Sequence, residues 1–239
     1  MPNADSPEID PASMTEPGRT ALIAGATGAI GSHLVQFLAA SDAYDRVIAI
    51  GRSAPNPLPD GVEFLEADLV NGITPDWPPE AVDAYCCLGT TQKQAGSLED
   101  FEHLEKGMIF GFARMARDVG VTRMAVVSTV NADPESLIPY CRIKGEIERE
   151  LMAMEFEHLH IFWPSLLLSG PRPDKRIGER VGQMLSPLIR PLMRGPLLKY
   201  RPVQVENVAA EMLAVMTGQM DELVESDDPV TGWCPQFRA

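Results

Sequence analysis

The chain has 239 residues, with 34 acidic side chains against 20 Lys and Arg and a formal net charge of −14. That length suits one full-sized α/β domain with its own core, and the acidity speaks against a nucleic-acid partner, because a protein that grips a phosphate backbone brings compensating Lys and Arg. No apolar run long enough to span a membrane and no signal peptide is visible, and Cys86, Cys87, Cys141 and Cys234 show no Cys-x-x-Cys or Cys/His spacing, so the expectation is reduced thiols in the cytoplasm.

Residues 1–18 are rich in Pro, Ser, Asp and Glu and poor in apolar side chains, which predicts an unstructured tail. The short apolar run Thr20 to Ala24 then leads straight into three glycines, Gly25, Gly28 and Gly31, and into a helical apolar pattern at Ile30, Leu34 and Leu38. A strand, a tight turn and a helix follow from that order, with the helix expected to end near Ser41 to Tyr44. Glycines let the backbone approach a diphosphate, and the helix N-terminus offers free N–H groups and a favourable dipole. Gly25, Thr27, Gly28, Ala29, Ile30 and Gly31 are therefore candidate contacts to a dinucleotide, although the spacing is G-x-x-G-x-x-G rather than G-x-G-x-x-G.

A second strand, Arg46 to Ile50, ends in Gly51-Arg52-Ser53. An NAD site usually places a carboxylate there for the ribose 2′-hydroxyl. Here a guanidinium and a hydroxyl stand instead, and Arg52 with Ser53 suits a 2′-phosphate, so NADP (NADPH) is the expected cofactor. After the proline-rich loop Ser53 to Asp60, a third strand, Val62 to Leu65, runs toward Asp68 and Leu69. Asp68 is either an acceptor for the adenine amino group, with Leu69 on the ring, or a turn former. A fourth strand, Ala81 to Leu88, is almost wholly small or apolar, as a central parallel strand should be. Its end delivers Leu88, Gly89 and Thr90 to where an α/β sheet meets its ligand.

Lys93 to Gly96 reads as a polar loop, and Ser97 to Asp100 as a capping box for a helix to about Val119, with Leu104, Met108, Phe112 and Met115 as its core face. Gly120 stops it. A fifth strand, Arg123 to Val127, brings Ser128 to its end. Twelve residues on comes Tyr140-Cys141-Arg142-Ile143-Lys144, a Tyr-x-x-x-Lys. If residues 139–154 are helical, as Ile143, Ile147 and Leu151 suggest, Tyr140 and Lys144 share one face a turn apart. Reduction of a carbonyl needs a proton donor beside the oxygen that becomes an alkoxide. A phenol serves when a neighbouring ammonium favours its anion, so Ser128, Tyr140 and Lys144 form the candidate catalytic group, with Tyr140 and Lys144 also touching the cofactor.

AGATGAIGSHLV, AYCCLGTT, MAVVST and YCRIKGEIE resemble an atypical short-chain dehydrogenase/reductase, and most closely its Tat-interacting-protein-like oxidoreductase branch, over about residues 19–217. The resemblance implies a Rossmann fold, bound NADP(H), catalysis by Ser128, Tyr140 and Lys144, and cofactor contacts from Pro164, Ser165 and Leu166 after a sixth strand, His158 to Trp163. Phe162-Trp163-Pro164-Ser165 departs from the Arg-Pro-Ser or Arg-Pro-Gly common in that branch, and Thr129 stands where many relatives have a second serine.

Ser169 to Glu179 is a basic loop, either solvated or a lid for an anionic substrate through Arg172, Lys175, Arg176 or Arg180. Met184 to Leu198, with Pro187 and Pro191 inside it, is expected to form a core lid or a homodimer surface rather than a membrane contact. A last helix spans Glu206 to Met216, and the acidic tail beyond Gly218 is uninformative. The four histidines have no ligand spacing, so no metal is expected. The reading is one doubly wound α/β domain over residues 19–239, Rossmann-like and mostly parallel, with residues from about 165 onward as a short substrate region. It transfers hydride between NADP and a small-molecule carbonyl or alcohol. The alternative is a non-catalytic NADP(H)-binding regulator acting through a protein partner.

Overall fold

The computed structural model describes residues 19–72, 83–168, 200–219 and the backbone of Trp233–Gln236. Its strands are β1 (Thr20–Ala24), β2 (Arg46–Gly51), β3 (Val62–Glu66), β4 (Asp83–Cys86), β5 (Arg123–Val127), β6 (His158–Phe162), β7 (Leu167–Leu168), β8 (Val203–Gln204) and β9 (Trp233–Gln236). Its helices are α1 (Gly31–Ala39), α2 (Gln92–Ala95), α3 (Leu98–Asp118), α4 (Pro139–Met152) and α5 (Val205–Thr217). Six parallel strands take the order β3-β2-β1-β4-β5-β6, β9 pairs antiparallel with β6, and β7 pairs with β8 in a separate two-stranded ribbon. The doubly wound, mostly parallel fold is thus present, and its strand order reverses between β1 and β4, which leaves a crevice at their carboxyl ends.

Period-two alternation along each strand feeds two cores. On one face Ala21, Ile23, Val47 and Ala49 meet Leu34 and Leu38 of α1 and Val208 and Met212 of α5. On the other, Leu22, Ala24, Ile48 and Ile50 meet Phe112 of α3 and Ile143 and Ile147 of α4. Two glycines set how closely the second pair of helices approaches. A Cβ on Gly111 of α3 would stand 2.0 Å from the Leu69 carbonyl oxygen, and one on Gly145 of α4 would stand 2.3 Å from the Asp133 carbonyl carbon.

At the amino end of β4 a fully buried carboxylate, Asp83, collects Arg19 at 2.8 Å, Arg123 at 2.6 and 2.7 Å and the Tyr44 hydroxyl at 2.5 Å. These contacts tie β1, β4 and β5 together at the end of the sheet opposite the crevice.

Several boundaries differ from the sequence expectation. Helix α1 stops at Ala39, short of Ser41 to Tyr44, and β4 ends at Cys86, so that Cys87 and Leu88 belong to the loop, while Ala81 and Val82 lie outside the described residues. The polar stretch around Lys93 folds into α2, capped by the Thr91 side chain, which accepts from the Gln94 N–H. The α3 core stripe is Phe101, Glu105, Ile109, Phe112, Ala113, Met115 and Ala116, with Leu104 and Met108 only half-buried. The tail beyond Gly218, uninformative as sequence, contributes β9. Residues 1–18 and the expected lid elements, Ser169 to Glu179 and Met184 to Leu198, lie outside the described residues. No helix among the described residues is long and apolar enough to cross a membrane.

Candidate active site

The β1–α1 turn is shaped by close backbone approach. Gly25 has φ +85°, and a Cβ there would fall 2.5 Å from the Cys87 carbonyl oxygen of the loop after β4. A Cβ on Gly31 would fall 2.2 Å from the Gly25 carbonyl oxygen, and the Gly28 N–H donates to that oxygen at 2.8 Å. Helix α1 begins without a side-chain cap and without an acidic residue in its first turn, so its N-terminus suits an anion. Thr27 is exposed and Ala29 half-buried beside this turn, while the Ile30 side chain lies in the α1–α5 core, leaving its backbone to face a ligand. The glycine cradle fits the diphosphate of a dinucleotide.

Arg52 and Ser53 are exposed just past β2. A Cβ on Gly51 would meet nothing within 4 Å, so the missing carboxylate there is not a steric necessity. The Ala67 N–H donates to the Gly51 carbonyl at 3.0 Å and brings the ends of β2 and β3 together. Asp68 accepts from the Asn71 backbone at 3.2 Å and side chain at 2.7 Å; those bonds, and more weakly the charge of Arg52, hold its carboxyl below the usual range. The turn-forming reading of Asp68 is the one its contacts follow. Leu69 is buried in the core, its carbonyl against Gly111.

After β4, Leu88 is half-buried and Gly89 exposed, and the Thr90 N–H donates to Oε2 of Glu105 at 2.7 Å. The other oxygen of Glu105 lies 2.5 Å from Lys144 Nζ, both side chains being almost wholly buried. Burial pulls the Lys144 ammonium down, but the charges of Glu105 and Tyr140 outweigh it and its affinity for the proton rises. One carboxylate therefore connects the loop beside the glycine turn to α4. Tyr140 stands one turn before Lys144, 43% exposed, with its ring centroid 5.9 Å from that of Phe101 on α3.

Ser128 is buried at the end of β5, where its hydroxyl donates to Oε1 of Glu148, the residue one turn after Lys144. Trp163, just past β6, donates its indole N–H to the same oxygen at 2.9 Å. Burial pushes the Glu148 carboxyl up, against the hydrogen bonds from Ser128 and Trp163 and the charge of Lys144. Pro164 is buried and its carbonyl accepts from the Val130 N–H at 3.3 Å; the Ser165 hydroxyl donates to the Arg201 carbonyl; exposed Leu166 accepts from the Val203 N–H at 3.0 Å. This segment joins the β6 end to the β7–β8 ribbon.

The structure thus places Tyr140, Lys144 and Glu148 on successive turns of α4, with Ser128 beside the last of them. Glu105, Glu148 and Trp163 are the functional candidates that sequence reasoning missed. A signal was there for two of them: Glu105 sits at the centre of the apolar spacing from Phe101 to Ile109, and Glu148 extends Tyr-x-x-x-Lys by one turn. Cys86, Cys87 and Cys141 are free, and among the described residues no three His, Cys, Asp or Glu gather to hold a metal ion.

Residues 21–135 match the NAD dependent epimerase/dehydratase family. The mitochondrial protein fmp52-1 of Aspergillus terreus is 37% identical over 159 residues, which make up 64% of this chain and 68% of that one. The chain belongs to the FMP52 family. A second member, the mitochondrial FMP52 of Eremothecium gossypii, is 33% identical over 152 residues, 62% of this chain and 66% of its own. The UDP-glucose 4-epimerase of Thermotoga maritima superposes with a TM-score of 0.60 at 18% identity, covering 82% of this chain and 73% of the epimerase. The PhqB reductase domain of Penicillium fellutanum gives a TM-score of 0.61 at 12% identity, covering 93% of this chain and 69% of the domain. At such identities the fold is what is shared. Residues 21–135 thus resemble a nicotinamide-dinucleotide-dependent family, and this FMP52-family chain shares the Rossmann-like fold of these neighbours. The expected cytoplasmic location is corrected, since both FMP52 relatives are named as mitochondrial. Reduced cysteines, on which that expectation stands, mark a reducing environment without singling out a compartment.

Proposed function

We propose that this FMP52-family chain is an NADP-dependent oxidoreductase acting on a small-molecule carbonyl or alcohol, with Ser128, Tyr140 and Lys144 as its catalytic residues. When bound, the nicotinamide supplies or accepts hydride. The Tyr140 hydroxyl gives a proton to the substrate oxygen in reduction and takes one in oxidation. Lys144 holds positive charge beside that phenol and would serve the ribose when the cofactor is bound, and Ser128 would orient the substrate oxygen. Gly25, Thr27, Gly28, Ala29, Ile30 and Gly31 would cradle the diphosphate. Arg52 and Ser53 would take the 2′-phosphate, and Leu88, Gly89 and Thr90 the ribose. Pro164, Ser165 and Leu166 would pass the carboxamide.

The observation that carries the reading is Lys144. A lysine 4% exposed is costly to bury, and this one is held by Glu105 beside Tyr140 and linked through Thr90 to the loop that packs on Gly25. The motif resemblance to the Tat-interacting-protein-like branch supports the same assignment, and the names of the curated relatives support a mitochondrial place of action.

The test follows NADPH oxidation with a panel of aldehydes, ketones and quinones, in the native chain and in Tyr140→Phe. Turnover should fall by about a hundredfold or more in the variant, with cofactor affinity kept. Undiminished turnover in Tyr140→Phe would overturn the catalytic assignment, and cofactor binding without any turnover would favour the regulator.

A further inference from the structure

Ser128 is offered above as the residue that hydrogen-bonds the substrate oxygen, yet its proton is already directed to Glu148. A carbonyl oxygen accepts only, and an alcohol whose one proton passes to Tyr140 likewise accepts from Ser128, so Ser128 must donate in both directions of the reaction. The direction of the Ser128 bond therefore decides whether the serine proton is available to the substrate. Glu148 is only 6% exposed, and both neutral donors, Ser128 and Trp163, converge on its Oε1.

We propose that Glu148 is a positioning residue for Ser128, a proton-exchanging carboxyl that sets the direction of the serine's hydrogen bond and so whether its proton is free to hold the substrate oxygen. With Glu148 ionised, Ser128 donates to the carboxylate and its proton is withheld from the substrate. With Glu148 protonated, the carboxyl donates to Ser128 Oγ, and the serine proton is free for the substrate oxygen. The carboxyl exchanges its proton with solvent, and no bond of the substrate or of the serine is made or broken. Among the described residues the charge acting on Glu148 is Lys144, one turn earlier on α4 and itself paired with Glu105 of α3. The ends of β5 and β6 present the hydroxyl and the indole. Burial raises the carboxyl, which brings its titration toward neutral pH.

The proposal rests on Ser128 meeting the substrate, but its first readout needs no substrate. In a Trp77→Phe/Trp233→Phe background Trp163 is the sole remaining indole of the three. Its emission, followed from about pH 4 to 9, should titrate with a midpoint above the roughly 4.3 of an ordinary glutamate. Glu148→Gln, nearly isosteric, should abolish that transition, and Ser128→Ala should move it to higher pH because a donor that favours the carboxylate is lost. With any compound that turns over, KM for the carbonyl and KM for the alcohol should both fall by about three- to tenfold as Glu148 gains its proton. Glu148→Gln should flatten both, and kcat should keep its Tyr140-dependent limb. A flat Trp163 titration, a transition that survives in Glu148→Gln, or a midpoint unmoved by Ser128→Ala would overturn the proposal. Absent turnover with a normal Trp163 titration would instead overturn the reading of Ser128 as a substrate contact.

Discussion

Lys144 and Glu105 sit 2.5 Å apart with almost no solvent around either. Each is tolerable only because of the other, since a buried charge without a partner keeps its full desolvation penalty. Lys144→Met should therefore cost about 3–5 kcal/mol, read as a lower midpoint in urea. Lys144→Met/Glu105→Leu should recover most of that stability, with cofactor affinity still impaired; additive losses in the double variant would contradict a coupled pair. The lysine is legible in the sequence because its spacing from Tyr140 has a chemical meaning. Glu105 falls on the apolar spacing from Phe101 to Ile109, but helical periodicity is read from apolar residues, so a carboxylate in the stripe is passed over as a gap. Glu148 likewise extends the Tyr-x-x-x-Lys spacing, but its importance comes from Ser128 and Trp163, two residues that only the sheet brings to it.

Helix α3 is seated by the missing side chain at Gly111, where a Cβ would stand 2.0 Å from the Leu69 carbonyl oxygen. That neighbour is backbone and cannot rotate away, so Gly111→Ala should destabilise by about 2–3 kcal/mol. The melting point should drop by several degrees, at roughly 2–4 °C per kcal/mol for a chain this long. An unchanged melting point would mean that the helix has room to shift. In α5, burial pushes the Glu211 carboxyl up to about 7. A carboxyl whose native pKa lies above its unfolded value near 4.3 opposes folding once it ionises, so its cost is absent at pH 4 and grows as pH rises through that window. Glu211→Gln should accordingly raise the melting point at about pH 8 and leave it nearly unchanged at about pH 4; equal shifts at both would contradict this. The principal elements β1, β2, β5, α3 and α4 were visible from period and punctuation, to within a few residues at their ends. The exceptions have physical causes. Helix α2 is one turn held by the Thr91 cap. Strands β7 and β8 are two residues each, too short to show alternation. Strand β9 contains Pro235, which a central strand does not tolerate but an antiparallel edge does.

At the scale of the whole molecule, a chain of net charge −14 is asked to hold a multiply charged anion. On the proposed reading it would do so locally: the strand order reverses between β1 and β4, the glycine turn and the uncapped start of α1 lie at that reversal, and Arg52 is exposed just past the end of β2. The Asp83 cluster, with its two arginines, fixes the far end of the same strands and keeps its positive charge away from the site. This plan was legible from the order of glycine turn, strand and Tyr-x-x-x-Lys, whereas the choice of cofactor turns on one exposed side chain. Calorimetric titration of the full chain with NADPH and with NADH, repeated on Arg52→Glu, tests that choice. Tighter binding of NADPH by roughly ten- to a hundredfold, lost or reversed in Arg52→Glu, is the expected result. A native preference for NADH, or an NADPH affinity indifferent to Arg52→Glu, would contradict it.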